Sequence, residues 1–382
     1  MKNDLENTIF DAAIIGGGLA GLSLSILLAK AGYKVILFEK EKYPFHKVCG
    51  EYISMESRGF ITRLGLNLEK FDLPVIKKLR VSSPSGNILT TELDLGGFGI
   101  SRFLLDHELK KIAEESGVLV KEMCKVNDVQ FLQEKMMVKF QGGEINAKIV
   151  AGTFGKKSNL DVKWNRGFIK KKQGKLNNYI GVKYHIRYDQ PADNIALHNF
   201  KNGYAGISKV EGDTYCLCYL TSAQNLKEHH NSIKEMEQQV LYQNPHLKKI
   251  FTSAEFLWKD PETISQVSFD KKNQLHDHVL LLGDAAGMIT PLCGNGMSMA
   301  LHSAAISFEY IDPFLKGIIS RGQMEQEYAD HWNTIFSSRL RIGRVIQRLF
   351  GKPFLTNIFI STIRYFPFMI KKLIRATHGK EF

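Results

Sequence analysis

Cysteine is scarce and odd in number, with five residues at irregular spacing. That pattern supports no disulfide framework, so a reducing cytoplasm is the simpler setting. Tryptophan is scarcer still, and Trp164, Trp258 and Trp332 stand far apart. The opening "MKNDLENTIFD" mixes charges and lacks a signal-peptide layout. No repeat or low-complexity linker divides the 382 residues, a length that suits two or three packed units. One uncharged run, "AAIIGGGLAGLSLSILLA", is long enough to suggest a membrane span. Its three consecutive glycines and two serines fit a buried strand, turn and helix better.

Acid is scarce in two segments. Residues 156–175 carry eight Lys/Arg and one Asp, and residues 339–382 carry ten Lys/Arg and one Glu. The formal net charge of +12 is therefore local, and the remainder of the chain is slightly acidic. A local excess suits a surface that meets something anionic, or a solvated loop and tail. The solvated reading is preferred for "KWNRGFIKKKQGK". No nucleic-acid partner is expected.

"DAAIIGGG", "LAGLSLSILLAKAG" and "KVILFEK" read as strand, helix and strand, a βαβ unit that opens a parallel sheet, with Gly32 closing the helix. Residues 77–94 read as a hairpin turning at residues 84–87. Ser101 caps a helix whose Leu105, Leu109, Ile112 and Ala113 share a face and which Gly117 stops. "VLVKEMCKV", "KMMVKF" and "EINAKIVAG" follow as strands, the last two joined by a turn at Gly142-Gly143. Residues 176–265 are mostly strand-like and antiparallel, interrupted by a helix on Ile233, Met236, Val240 and Leu241 that Asn244-Pro245 ends. "HVLLLGDAAG" returns to a buried strand.

Gly16, Gly18 and Gly21 form G-x-G-x-x-G between the first strand and helix. Such glycines make the turn, admit a pyrophosphate, and let helix and strand pack closely. Glu39, followed by Lys40, ends the second strand 18 residues after Gly21, where a carboxylate can hold ribose hydroxyls. A second glycine turn decides between NAD and FAD. "VLLLGDAAGMITPLCGNGMSMAL" puts Gly283 and Asp284 at a strand end, then Pro291, Gly294 and Gly296 before a helix. Asp284 can hold ribityl hydroxyls, and the positive helix end faces an anionic flavin ring.

With these motifs and "FHKVCGEYIS", the chain resembles the geranylgeranyl reductase family of p-hydroxybenzoate hydroxylase-like flavoproteins over roughly residues 8–310. The resemblance implies an α/β fold: a Rossmann-like FAD-binding domain (1–76, 98–160 and 266–320), an inserted antiparallel substrate domain (77–97 and 161–265), and a helical C-terminus (321–382). It also implies that Gly16, Gly18, Gly21, Glu39, Arg102, Asp284, Gly294 and Gly296 contact FAD. For Arg102 the alternative is a surface arginine that opens a helix. The implied reaction is reduction of a C=C bond in a hydrophobic or lipid-like substrate, with NAD(P)H or another reductant as electron donor. A monooxygenase and a non-catalytic flavin- or lipid-binding protein at the membrane surface are the alternatives. The segment "GTFGKKS" has Phe154 where the superfamily carries aspartate, which weighs against a hydroxylase-style nicotinamide cycle. Ser298 stands where hydroxylases often carry asparagine. The family's Y-x-W-x-F-P survives only as Tyr204, and the halogenase W-x-W-x-I-P is absent.

Cys49 in "HKVCGEY" admits four readings. A disulfide conflicts with the compartment, and a metal site has only His46 as an obvious companion. A catalytic thiol would need His46 and Lys47 to lower its pKa. The preferred reading is a small group shaping the flavin pocket. Cys49 and Tyr204 are the candidate proton donors, and no metal is expected. Cys216 and Cys218 share a strand face as core residues, and Cys293 lies near the flavin. His229-His230 open a helix as solvated residues. The C-terminal basic, aromatic segment, broken at Pro367, is either a membrane-interface element or a helical cap on the core.

Overall fold

The computed structural model describes residues 8–170, 178–349, 352–363, 365, 367–377 and 379–382. The apolar run at its start folds as β1 (Ile9–Ile15), α1 (Leu19–Lys30) and β2 (Val35–Phe38). Helix α1 is buried on nearly every side, from Leu19 to Leu28. A helix that is apolar all round must be covered all round, which is why this run imitates a membrane span. Among the described residues no helix is long and apolar enough to cross a membrane.

Strand β3 (Tyr52–Ser54) and α2 (Arg58–Arg63) lead to the hairpin of β4 (Val75–Ser82) and β5 (Ile88–Gly99). Helix α3 (Arg102–Glu115) begins where Ser101 accepts the Leu104 N–H and stops before Gly117, whose φ is 93°. Then come β6 (Leu119–Lys121), β7 (Val126–Leu132), β8 (Lys135–Phe140) and β9 (Gly143–Gly152). The stretch expected as one strand over residues 118–126 is split. Met123 takes a positive φ of 52°, and β7 begins beyond it to pair with β8.

Two short helices, α4 (Asn159–Lys163) and α5 (Gly167–Lys170), occupy the segment expected to be a solvated loop. Arg166 is buried there, 2.7 Å from Asp161 and bonded to the carbonyls of Ala285 and Asn273, because a buried guanidinium needs this many acceptors. Lys171 to Lys175 lie outside the described residues, as do residues 1–7.

Strands β10 (Tyr179–Arg187), β11 (Asn194–Phe200), β12 (Gly203–Lys209) and β13 (Tyr215–Ser222) follow. Next are α6 (Ala223–Glu228), α7 (Ile233–Val240) and α8 (Pro245–Ser253). His229 caps the end of α6 and His230 is an exposed partner of Glu235, so the pair closes a helix rather than opening one. Asn244-Pro245 starts a helix as well as ending one. The Asn244 side chain accepts the N–H groups of His246 and Leu247, and Pro245 at the first helical position loses no hydrogen bond. The chain continues through β14 (Glu255–Phe256), β15 (Glu262–Val267), β16 (Leu275–His276) and β17 (Val279–Leu281). It finishes with α9 (Gly296–Leu315), α10 (Arg321–Leu349), α11 (Pro353–Ile363) and α12 (Pro367–Thr377).

The strands make two sheets. In the first, β17, β9, β1, β2 and β6 run parallel and carry the β7–β8 hairpin on β9. Helices α1 and α9 pack together beside this sheet in one large apolar core. The second sheet runs β14-β10-β13-β12-β11-β4-β5-β3 and is antiparallel except where β11 meets β4. Strand β3 thus carries the chain from the nucleotide half into the second sheet. A separate core lies between β10–β13 and α7–α8. The inner faces of α11 and α12 cover β4 and β5 through Val81, Leu89, Ile360, Ile363 and Ile370.

That separate core contains an acid. Glu237 accepts hydrogen bonds from Tyr219 at 2.7 Å and Tyr184 at 3.0 Å, yet burial still pushes it up from 4.5 to about 7. A raised native value favours the protonated form. Its stabilisation is complete below pH 4.5 and lost as pH rises through about 7, a swing of about 3 kcal/mol. Urea unfolding at a series of pH values is expected to show this decline in the native chain and its loss in Glu237→Gln. An equal slope in both proteins would remove Glu237 as its source.

Candidate active site

The first glycine turn is set by close backbone approach. Gly16 has φ 108°, which L side chains rarely adopt. A Cβ on Gly21 would stand 2.1 Å from the Gly16 carbonyl oxygen and 2.6 Å from Thr153 Oγ1. Gly18 is different, because the nearest groups to its would-be Cβ are cationic: Arg102 Nη2 at 3.8 Å and Lys47 Nζ at 3.9 Å. Two cations therefore face the N-terminus of α1, where peptide N–H groups also favour an anion.

Asp106 aligns these cations. Its carboxylate accepts Arg102 Nε and Nη2, each at 2.7 Å, and Lys47 Nζ at 3.0 Å. Burial alone would raise this acid, but Arg102 and Lys47 hold it below the ordinary carboxylate value. Burial likewise opposes the charge on Arg102, and Asp106 overcomes it. The surface-arginine alternative is thereby overturned, since the guanidinium is held inside by a bidentate partner.

Glu39 ends β2 with one oxygen accepting Gly17 N at 2.8 Å and the other Glu41 N at 3.0 Å. Tyr43 donates its hydroxyl to the Gly17 carbonyl. Lys40 is not gathered into this group; it is exposed and 3.5 Å from Glu41. At the second turn, Gly283 and Gly294 take φ of 56° and 64°. Asp284 is raised by burial against the fields of Lys272, Lys156 and Arg102. Burial lowers both lysines to about 8. A single 3₁₀ turn at Pro291–Cys293 leads through Gly294 to α9, which begins at Gly296 with no side-chain cap. Asn295 Oδ1 and Ser298 Oγ are buried there with no hydrogen-bond partner among the described residues. A desolvated acid, two buried polar atoms awaiting partners and paired cations at Gly18 fit a dinucleotide running from the first turn to the second.

Around Cys49 the structure overturns the activated-thiol alternative. Lys47 is committed to Asp106. His46 packs on Phe103 at 4.6 Å and Trp258 at 4.4 Å, and burial with Lys183 and His185 nearby pushes it down to about 4. Neither group can generate a thiolate, and burial pushes the Cys49 thiol up. Cys216 is buried as expected, and its Sγ also donates to the Cys49 carbonyl at 3.2 Å.

Glu51, at φ 55°, is buried beside Cys49. One of its oxygens accepts Arg102 N at 2.8 Å and Lys183 Nζ at 2.5 Å, and the other pairs with His185 Nε2 at 2.6 Å. Burial would raise this acid, but His185 and Lys183 keep it below its ordinary value. Glu51, His185 and Cys216 place potential ligand atoms within 4.8 Å of one another. Lys183 already neutralises the carboxylate, and burial keeps Cys216 a thiol, so the cluster reads as an ion-pair network. Sequence reasoning missed Lys183 and His185. Their signal was the run of polar residues two apart in the largely apolar "YIGVKYHIR", where Lys183, His185 and Arg187 share one face of β10.

Tyr52 was also missed. Its ring stands 3.3 Å from the Cβ position of Gly294, and it lines a cavity of about 690 Å³. Leu93, Leu95, Ile335, Ile374 and Phe382 supply more of its wall. The Tyr52 hydroxyl is buried with no hydrogen-bond partner among the described residues. Tyr204, buried on β12, and Cys49 do not line this cavity, and the Cys293 side chain lies outside what is described.

Residues 10–318 match the FAD binding domain family. The chain belongs to that family. FAD is its cofactor, and its family includes oxidoreductases, monooxygenases and halogenases. The digeranylgeranylglycerophospholipid reductase of Methanocaldococcus jannaschii is 24% identical over 364 residues, covering 90% of this chain and 88% of that one. The flavin-dependent brominase Bmp2 superposes with a TM-score of 0.79 at 22% identity, over 97% of this chain and 93% of the brominase. A geranylgeranyl bacteriochlorophyll reductase-like protein of Thermoplasma acidophilum gives 0.76 at 18% identity, over 98% and 96%.

Two outcomes follow from this geometry. Gly21→Val is expected to weaken FAD binding about ten- to a hundredfold, because the added side chain meets backbone. Lys40→Ala should leave it unchanged, and flavin titration monitored by fluorescence compares the two. Glu51→Gln strands the buried Lys183 ammonium and should lower stability by about 3–5 kcal/mol in urea unfolding, with Lys183→Met restoring part of it. An undiminished midpoint would show that the pair carries no such weight.

Proposed function

We propose that this flavoprotein reduces a carbon–carbon double bond of a hydrophobic, lipid-like substrate. The observation that carries the reading is the cavity of about 690 Å³, whose wall includes Tyr52, Leu93, Leu95, Ile335 and Ile374. It meets the second glycine turn through Tyr52, whose ring contacts the Gly294 position. Reduced FAD, when bound, supplies a hydride equivalent. The chain's own contribution is to bind a lipid-like chain between apolar side chains and charged ones such as Asp94, Arg339, Lys371 and Arg375, and to hold a proton. Cys49 and Tyr204 are the candidate donors although neither lines the cavity; burial raises the Cys49 pKa and favours the protonated thiol. The likeness to the M. jannaschii reductase along 90% of the chain supports a reductase of lipid-like substrates.

Relatives such as the kynurenine 3-monooxygenase of Flavobacterium psychrophilum, 24% identical over 348 residues, make oxygen insertion the competing outcome. Mass spectrometry of host lipid extract incubated with the chemically reduced holoenzyme separates them. A product gaining two hydrogens without oxygen is expected. A product gaining one oxygen atom only in air would overturn the proposal in favour of a monooxygenase.

A further inference from the structure

We propose that the outer faces of α11 and α12 dock this protein on an anionic lipid bilayer. The inner faces are accounted for: Ile360, Ile363 and Ile370 are buried against Val81 and Leu89 of the second sheet. The outer faces carry Phe354, Leu355 and Ile358 on α11 and Phe368 and Met369 on α12, with Tyr365 between the helices, at exposures of 41–74%. Scattered exposed apolar residues are ordinary, but six within residues 354–369 form a patch of the kind that marks an interaction surface. Each helix has 11 residues. At about 1.5 Å per residue neither can cross an apolar layer of about 30 Å, so they can only lie in the interface.

Charge selects the partner. Lys352 is exposed immediately before α11, and Lys372 is exposed one turn beyond Phe368 and Met369. Among the described residues neither lysine has an ion pair, whereas Lys371 and Arg375 are held by Asp94. The surrounding segment, residues 339–382, carries ten Lys/Arg against one Glu. An apolar patch among uncompensated lysines matches a surface of anionic headgroups over acyl chains. A second copy of this chain matches it poorly, because a two-fold contact would set one cationic surface against another. Helix α12 also carries Lys371, Ile374 and Arg375 into the wall of the 690 Å³ cavity, so the docking face adjoins the space for an apolar ligand. The inference concerns this surface and does not rest on which reaction the flavin performs.

Sedimentation of the FAD-loaded protein with phosphatidylcholine vesicles, with and without phosphatidylglycerol, tests it. Binding is expected to mixed vesicles and to weaken with salt. Lys352→Glu with Lys372→Glu should cost roughly twentyfold or more in partitioning, at about fivefold per lysine. Phe354→Asp with Ile358→Asp should cost at least about a hundredfold. Both variants should keep the parent's melting temperature and flavin content, because the altered side chains face solvent. The proposal is overturned if the parent stays in the supernatant, or if both variants sediment as it does. It is equally overturned if the parent is a dimer that Phe354→Asp with Ile358→Asp converts to a monomer.

Discussion

A carboxylate taken out of water is costly unless donors replace the water it loses, and Glu51 meets that demand with donors from separate parts of the chain. Arg102 N comes from the start of α3, and Lys183 and His185 come from β10. Because Glu51 immediately precedes β3, these bonds fasten the crossing between the two sheets. They also fix Cys49 two residues upstream and Tyr52 one residue downstream. Arg102 extends the arrangement, since its guanidinium pairs with Asp106 and faces Gly18. One chain of buried charge thus connects the second sheet to the glycine turn between β1 and α1.

The consequence for chemistry is a site in which desolvation disfavours charge on groups of either sign. Burial raises Cys49, Cys216 and Asp284, and it lowers His46, Lys156 and Lys272. Both directions favour the neutral form, as desolvation requires. The charges most firmly held are paired: Asp106 with Arg102 and Lys47, and Glu51 with Lys183.

The C-terminal helices show how one segment can serve two surfaces. Their inner residues complete the apolar cover of β4 and β5, while Asp94 secures α12 through Lys371 and Arg375. The readings of this segment as a cap on the core and as an interfacial element therefore do not compete, because they concern opposite faces of the same helices.

Local rules carried far along this chain. A strand, a three-glycine turn, a helix and an acid in register specify a βαβ nucleotide unit, because each feature depends only on near neighbours. Ser101 as a cap and the turns at Gly86 and Gly142 follow for the same reason. The break in the strand over residues 118–126 was not legible, because it depends on β7 pairing with β8, which composition does not reveal. Protonation was illegible too: Cys49 has a basic flank in the sequence, yet Lys47 is drawn to Asp106, 59 positions away, and His46 is neutralised by its packing. The partners of Glu51 on β10 lie more than 130 positions along the chain. Sequence by itself determined the nucleotide-binding unit and its cofactor class, since these follow from short-range geometry. Tertiary structure alone decided which charges are buried, which are paired, and which apolar faces remain exposed, because desolvation depends on what the rest of the chain brings alongside.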